Sequence, residues 1–325
     1  MPPVPSFRPR PWRVAALGGL IALVSLGAAA CGGGPDGAGG KSQAAAAAPS
    51  AIPDNAALLA AVKPDPALKE ALPANVKQAG VLHLASNIQS APNNFYSADG
   101  KTPIGYEVDL AKAIAAKLGV TVTHQDMAFG SLITSLQSGR VDLTMAAMND
   151  TKARQEQIDF VDYFSSGITI MVAKGNPEGI AGPDTLCGKN VALVQGTSHQ
   201  KFATEQSGKC TAAGKQAITV TATDSDTQNQ NQLRTRRVAA ILNDLPSAVY
   251  ISRTAGEGKF FEVVPGEPIN GGPYGLGVNK QNKPLTDAVQ KALQALVTDG
   301  TYGKILQAWG VEQGAVKEVR VNGGS

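Results

Sequence analysis

GYEVDLAKAIAAKLG, residues 105 to 119, joins a tight turn to an amphipathic run and stops at a glycine. Val108, Ala111, Ile114, Ala115 and Leu118 recur at the i, i+3, i+4, i+7 spacing of a helix with one buried face. Glu107 and Asp109 fall in its first turn, where a carboxylate meets the positive end of the helix dipole, and Gly119 can supply the left-handed residue that closes a helix.

On both sides of this segment, strand and helix patterns alternate. Val81 to Ala85 reads as a strand, Val120 to His124 as a second, Ser131 to Ser138 as a helix ending at Gly139, and Val141 to Met145 as a strand. That alternation predicts an α/β layer with a largely parallel sheet. A similar set starts near 188, with strands at Val191 to Val194, Ile218 to Thr221, Val238 to Leu242 and Phe260 to Val264, and helices after Ser198, near Gln228 to Arg234 and from Leu245 to Thr254. Two similar lobes are expected. An apolar run, Tyr274 to Val278, then a helix from Leu285 to Val297 and a closing element with Tyr302, Ile305, Leu306 and Trp309 complete the pattern.

The 325 residues, 43% hydrophobic and 17% charged, suffice for a two-lobed unit with proper cores, so disorder throughout is excluded. The 29 basic and 26 acidic residues are spread along the chain and form no basic stripe, which argues against nucleic acid as a partner. At the start, Arg8, Arg10 and Arg13 precede an apolar stretch from Val14 to Ala30, and small residues lead into Cys31. Residues 1–30 therefore read as an export signal, with Cys31 as the acylated N-terminus of a lipoprotein held on the outer face of the cytoplasmic membrane. Ala28 stands where lipoprotein processing prefers a larger aliphatic residue, and plain secretion or an uncleaved anchor are the alternatives. Residues 31–55 are Gly, Ala, Pro and Ser with almost no large apolar side chain, the composition of a tether, and 56–80 read as short helical turns broken by prolines. Cys187 and Cys210 remain. In an exported chain they read as a disulfide, with two free thiols or a metal pair as alternatives, although the scattered His83, His124 and His199 make no zinc pattern.

The segment 105–119 also resembles the signature of the extracellular solute-binding proteins of family 3, which deliver polar amino acids to ABC importers, and DGTYGKILQAWG at 299–310 is similar to that family's C-terminal pattern. The resemblance spans about 75 to 312. It implies a type II periplasmic-binding-protein-like fold: lobe 1 from 81–173 plus 274–325, lobe 2 from 174–273, Ile168 to Ala173 and Tyr274 to Val278 as hinge strands, and a ligand in the cleft between. It further implies a monomeric receptor that needs no metal or cofactor, with an ABC permease as its partner.

A zwitterionic amino acid needs a guanidinium for its carboxylate and an acid for its ammonium group. By resemblance, AAMNDTKAR at 146–154 offers Arg154 for the carboxylate, the Ala147 carbonyl for the ammonium, and Asn149 where Ser or Thr is usual. Phe129, in AFGSLITSLQSGRVDL, matches the aromatic residue that lies against the ligand side chain; otherwise it is core beside Leu132, Ile133 and Leu136. QGTS at 195–198 follows a strand and opens a helix, so the Gly196, Thr197 and Ser198 amides and hydroxyls can meet an anion, and Asp244 in AAILNDLPSA suits the ammonium or, as the bland alternative, a helix N-cap. Asn87 and Ser90, in ASNIQSAP, replace an acid and an aromatic ring found in binders of basic residues, which favours a neutral polar ligand over arginine or lysine. The competing classes are an exported dehydratase-like enzyme on the same scaffold and a ligand-sensing module. No GxSxG, HExxH or phosphate loop supports catalysis.

Overall fold

The computed structural model describes residues 52–325, so the signal segment, Cys31 and most of the tether lie outside the described residues. In chain order the strands are β1 (Val81–Ser86), β2 (Phe95–Tyr96), β3 (Pro103–Ile104), β4 (Thr121–Asp126), β5 (Leu143–Thr144), β6 (Asp159–Ala173), β7 (Asn190–Val194), β8 (Thr219–Thr223), β9 (Ala240–Asp244), β10 (Phe261–Val263) and β11 (Ile269–Val278). Nine form one sheet in the order β4-β1-β5-β11-β6-β9-β7-β8, with β10 also on β6.

Two antiparallel strands carry both lobes. From Asp159 to Ser166, β6 runs beside β11, whose Gly277 and Val278 pass the sheet on to β5 and so to β1 and β4. From Ile168 to Val172, β6 pairs instead with β9, which carries β7 and β8 in parallel register. The strands expected as hinges are thus present but longer, since β6 starts at Asp159. The buried Asp159 and Asp162 hid that start by breaking the apolar run. Each half of the sheet is packed on both faces by buried apolar side chains, around Leu84 and Phe160 in the first and around Leu193 and Ile241 in the second.

The helix Tyr106–Lys117 lies where the sequence places it, and Gly119 takes φ +69° beyond it. Its start is tighter than periodicity suggests: at Gly105 a Cβ would meet the Asn93 carbonyl oxygen at 2.1 Å. Tyr106 is fully buried and stacks on Phe164, ring centroids 5.1 Å apart. Glu107 and Asp109 do more than meet the dipole, for both are buried. Asp109 accepts from Trp309 Nε1 (2.9 Å) and Asn55 Nδ2 (2.8 Å), tying the lead-in and the C-terminal helix to this one. The lead-in forms three short helices, 56–60, 66–71 and 74–79, that place Leu72 and Val76 in the core.

Cys187 and Cys210 are bonded, with Cα atoms 5.5 Å apart across 23 residues. In the chain-entropy account, a loop of this length stabilises the second lobe by about 3 kcal/mol.

Residues 315–325 hold a contact the sequence did not announce. Asp162 N donates to Arg320 O, Asn322 N to Phe160 O, and Gly324 N to Asp150 Oδ2 (2.8 Å), so the tail runs along β6 toward Asp150, just ahead of the short helix Lys152–Gln155 that carries Arg154. At Gly324 a Cβ would meet the Asp150 carbonyl oxygen at 1.9 Å, which requires glycine. Burial, then the charge and side chain of Asp150, push the Asp162 pKa from 3.8 up to about 7. A folded pKa above the unfolded one means the native chain holds a proton that the unfolded chain has lost, so this pair's contribution falls as pH rises through 4 to 7. His124, which burial pushes down to about 4, acts in the opposite direction, so variant and wild type should be compared at each pH. Asp162→Asn keeps the hydrogen bonds without the charge. Its melting temperature should rise relative to wild type between pH 5 and pH 8, by about 2–4 °C per kcal/mol recovered. A difference independent of pH by calorimetry would contradict the shared proton.

Candidate functional site

The ends of the parallel strands converge. Asn87 follows β1, Phe129 follows β4, Ala146 follows β5, Gln195 to Ser198 follow β7, Asp226 follows β8, and Asp244 ends β9. In open α/β sheets the carboxyl ends of strands are where ligands collect, because connecting loops and helix N-termini meet there. Between the lobes these ends line a small cleft that is partly open to solvent.

Eight of the ten expected residues line it: Asn87, Ser90, Phe129, Ala147 and Asn149 from one lobe and Thr197, Ser198 and Asp244 from the other. Arg154 and Gly196 are not among the lining residues, but Arg154 contacts two that are, Asn149 and Phe129. The Arg154 guanidinium lies 5.4 Å from the centre of the Phe129 ring, donates from Nη1 to Asn149 O (2.9 Å), and reaches Gly196 O from Nη2 at 3.3 Å. Burial lowers its pKa to about 10 against the pull of Asp244 and Asp150, so it stays a cation at neutral pH. Phe129 does two jobs: it packs on the cluster with Leu132 and Leu136 and also faces the cavity.

Some groups are used differently from expectation. The Thr197 hydroxyl donates to Val194 O (2.6 Å), the Ser198 hydroxyl crosses to Asn149 Oδ1 (2.6 Å), and the Gly196 amide is taken by Gln200 Oε1 (2.9 Å). Asp244 occupies the N-cap position of the helix Leu245–Thr254, yet its side chain makes no capping bond and meets His199 Nε2 at 3.3 Å.

Ala147 has a left-handed backbone, φ +47°, which costs a residue with a Cβ on the order of 1–2 kcal/mol. Its amide donates to Glu107 Oε1 (2.8 Å) and lies 3.2 Å from Tyr163 Oη; Tyr163 Oη and Asn94 Nδ2 also donate to Glu107. Burial raises the Glu107 pKa from 4.5 to about 7 despite these donors.

Sequence reading missed five lining residues, Ala146, Val194, His199, Asp226 and Asn243. His199 directly follows QGTS, and Asp226 opens a helix after a parallel strand as QGTS does. Strand-end position was the signal available.

The model of the bacterial extracellular solute-binding proteins, family 3, matches residues 82–312. The chain belongs to that family. The arginine-binding protein ArgT of Corynebacterium glutamicum is 29% identical over 260 residues, covering 80% of this chain and 84% of that protein. Two structures of an ancestral arginine-binding protein, one bound to arginine and one to glutamine, share 34% and 35% identity at TM-score 0.64 and cover 71% and 72% of this chain and 98% and 99% of theirs. An ancestral amino acid-binding protein that is a precursor of cyclohexadienyl dehydratase shares 27% identity at TM-score 0.65, over 72% of this chain and 97% of its own. The family 3 fold is thus the two-lobed one seen here, and relatives of this chain are amino-acid-binding proteins of ABC transporters.

Arg154→Ala and Asp244→Ala test the cavity. Each should leave a buried ligand charge unpaired, a loss of about 2–5 kcal/mol, and abolish the thermal shift given by the best amino acid. The unliganded melting temperature should move by less than about 4 °C. Near-native affinity of Arg154→Ala in titration calorimetry would remove Arg154 from the site.

Proposed function

We propose that the protein is an extracytoplasmic receptor that captures a polar α-amino acid between its lobes and hands it to an ABC permease. The supporting observation is the pairing of Arg154, a cation held against the lining residues Asn149 and Phe129, with Asp244, a carboxylate in the cavity wall on the other lobe, which matches the two charges common to every α-amino acid. A ligand that spans them links the lobes, and the shared strands β6 and β11 let them move together. Asn87 and Ser90 alone favour a neutral side chain, whereas arginine recurs in the names of the relatives.

Arg8 to Cys31 supports export with acylation at Cys31, which would hold a monomeric receptor beside its permease. Cys31→Ala should release the protein from the membrane fraction or block its processing. A native N-terminus before residue 31 without lipid, by mass spectrometry, would refute the anchor. Family 3 relatives are binding proteins, and the dehydratase precursor among the neighbours is itself an amino acid-binding protein, so we read this chain as a binder and not an enzyme.

Thermal denaturation with each of the twenty amino acids, on protein unfolded and refolded to remove carried ligand, is the direct test. A ligand at 100 times its Kd stabilises the native state by about 2.7 kcal/mol, a shift of roughly 5–10 °C. If none of the twenty shifts the transition, the reading fails.

A further inference from the structure

The sequence lost an acid at Asn87, but the structure brings another from the opposite lobe. Asp226 is the first residue of the helix Asp226–Arg234, 4% exposed, and lines the cavity with Asn87, Ser90, Asn243 and Asp244. It accepts a hydrogen bond from the Ser90 hydroxyl across the cleft. The helix does not need this carboxylate as its cap, because Ser225 Oγ already takes the Gln228 amide.

Charge in and around the cavity does not balance. Arg154 brings one positive charge, while Asp226 and Asp244 bring two carboxylates. An amino-acid zwitterion adds no net charge: its carboxylate is matched to Arg154 and its ammonium group to Asp244. Asp226 then has no cation near it except His199. His199 is the only lining residue able to carry positive charge among the described residues, and it is already engaged by Asp244. An isolated buried carboxylate is costly, whereas one paired with a cation and hydrogen-bonded is tolerated. Burial raises the Asp226 pKa against the pull of Ser90, His199 and Asn243, so the carboxyl is under-compensated where it stands. Asn243 also lines the cavity, 3% exposed, with its side chain beside the Asp226 carboxylate.

We propose that Asp226 is the specificity-determining acid of the cavity and that the ligand is an α-amino acid with a cationic side chain, ammonium or guanidinium, bound against the Asp226 carboxylate that Ser90 orients. This rests on the amino-acid reading of the cleft. It reverses the neutral preference suggested by Asn87 and Ser90, because the missing acid is supplied from lobe 2 and Ser90 serves as its hydrogen-bond donor. A carboxylate on the far lobe also reaches the side chain only when the lobes meet, so a cationic side chain would favour closure as well as affinity.

The test is calorimetric titration of ligand-free protein with arginine and citrulline, which match in shape and differ in charge, and with lysine and glutamine. Arginine or lysine should bind at least about thirtyfold tighter than its neutral counterpart, and Asp226→Asn should bring that ratio to within about threefold of one. The wild-type ratio needs no variant, so misfolding of Asp226→Asn cannot shelter the proposal. Citrulline or glutamine binding as tightly as arginine and lysine, or an Asp226→Asn variant that keeps the preference, would overturn it. Neutral binding that is lost in Arg154→Ala would sink this inference alone, and the absence of any amino-acid binding would sink the reading of the cleft as well.

Discussion

The Glu107 carboxylate is the interaction on which the candidate site depends. It sits in the first turn of the helix Tyr106–Lys117, wholly enclosed, and receives donors from the loop after β1 (Asn94), the loop after β5 (Ala147) and strand β6 (Tyr163). Three segments that share no local sequence are thereby fixed to one side chain. Ala147 is held in a left-handed conformation it would not choose, which sets the path of Ala147 to Arg154. Tyr163 carries the constraint into the strand both lobes share. An acceptor in a low-dielectric interior must be fully served to be tolerated, and a carboxylate with several donors is a geometric constraint as much as a stabilising one.

Local signals made most of the fold legible. The 3.6-residue stripe in 105–119 and the alternation of strand and helix patterns gave the layers, and the resemblance gave the two-lobed arrangement. The length of β6 was hidden because Asp159 and Asp162, acids in a buried strand, are met by Lys280, Lys283 and a tail more than 150 residues away. Long-range compensation of that kind leaves no local trace. Glu107 shows the same limit: helix-dipole reasoning placed it correctly in the first turn and could not see the three donors that bury it.

At the site, residues in familiar strings were easy to nominate, and most line one cavity. His199, Asp226 and Asn243 escaped because each reads as ordinary helix-start or strand-end sequence. Only sheet order shows that β7, β8 and β9 deliver their ends to one place, and sheet order is a tertiary fact.

Arg154 is held by Asn149 O, Gly196 O and the face of Phe129. A guanidinium has five N–H donors, so with two engaged, three would remain for the carboxylate of the proposed ligand. The side chain has already surrendered its rotamer freedom, a loss of up to about 2 kcal/mol that binding would otherwise incur. Capture at this end would then demand no local reorganisation and could run near the encounter rate, leaving the time a ligand stays to how long Gly196 and Ser198 remain across from Arg154 and Asn149. A carrier divided in this way, with a fixed receptor on one lobe and a clasp on the other, can be tuned for release by changing the clasp without weakening first contact.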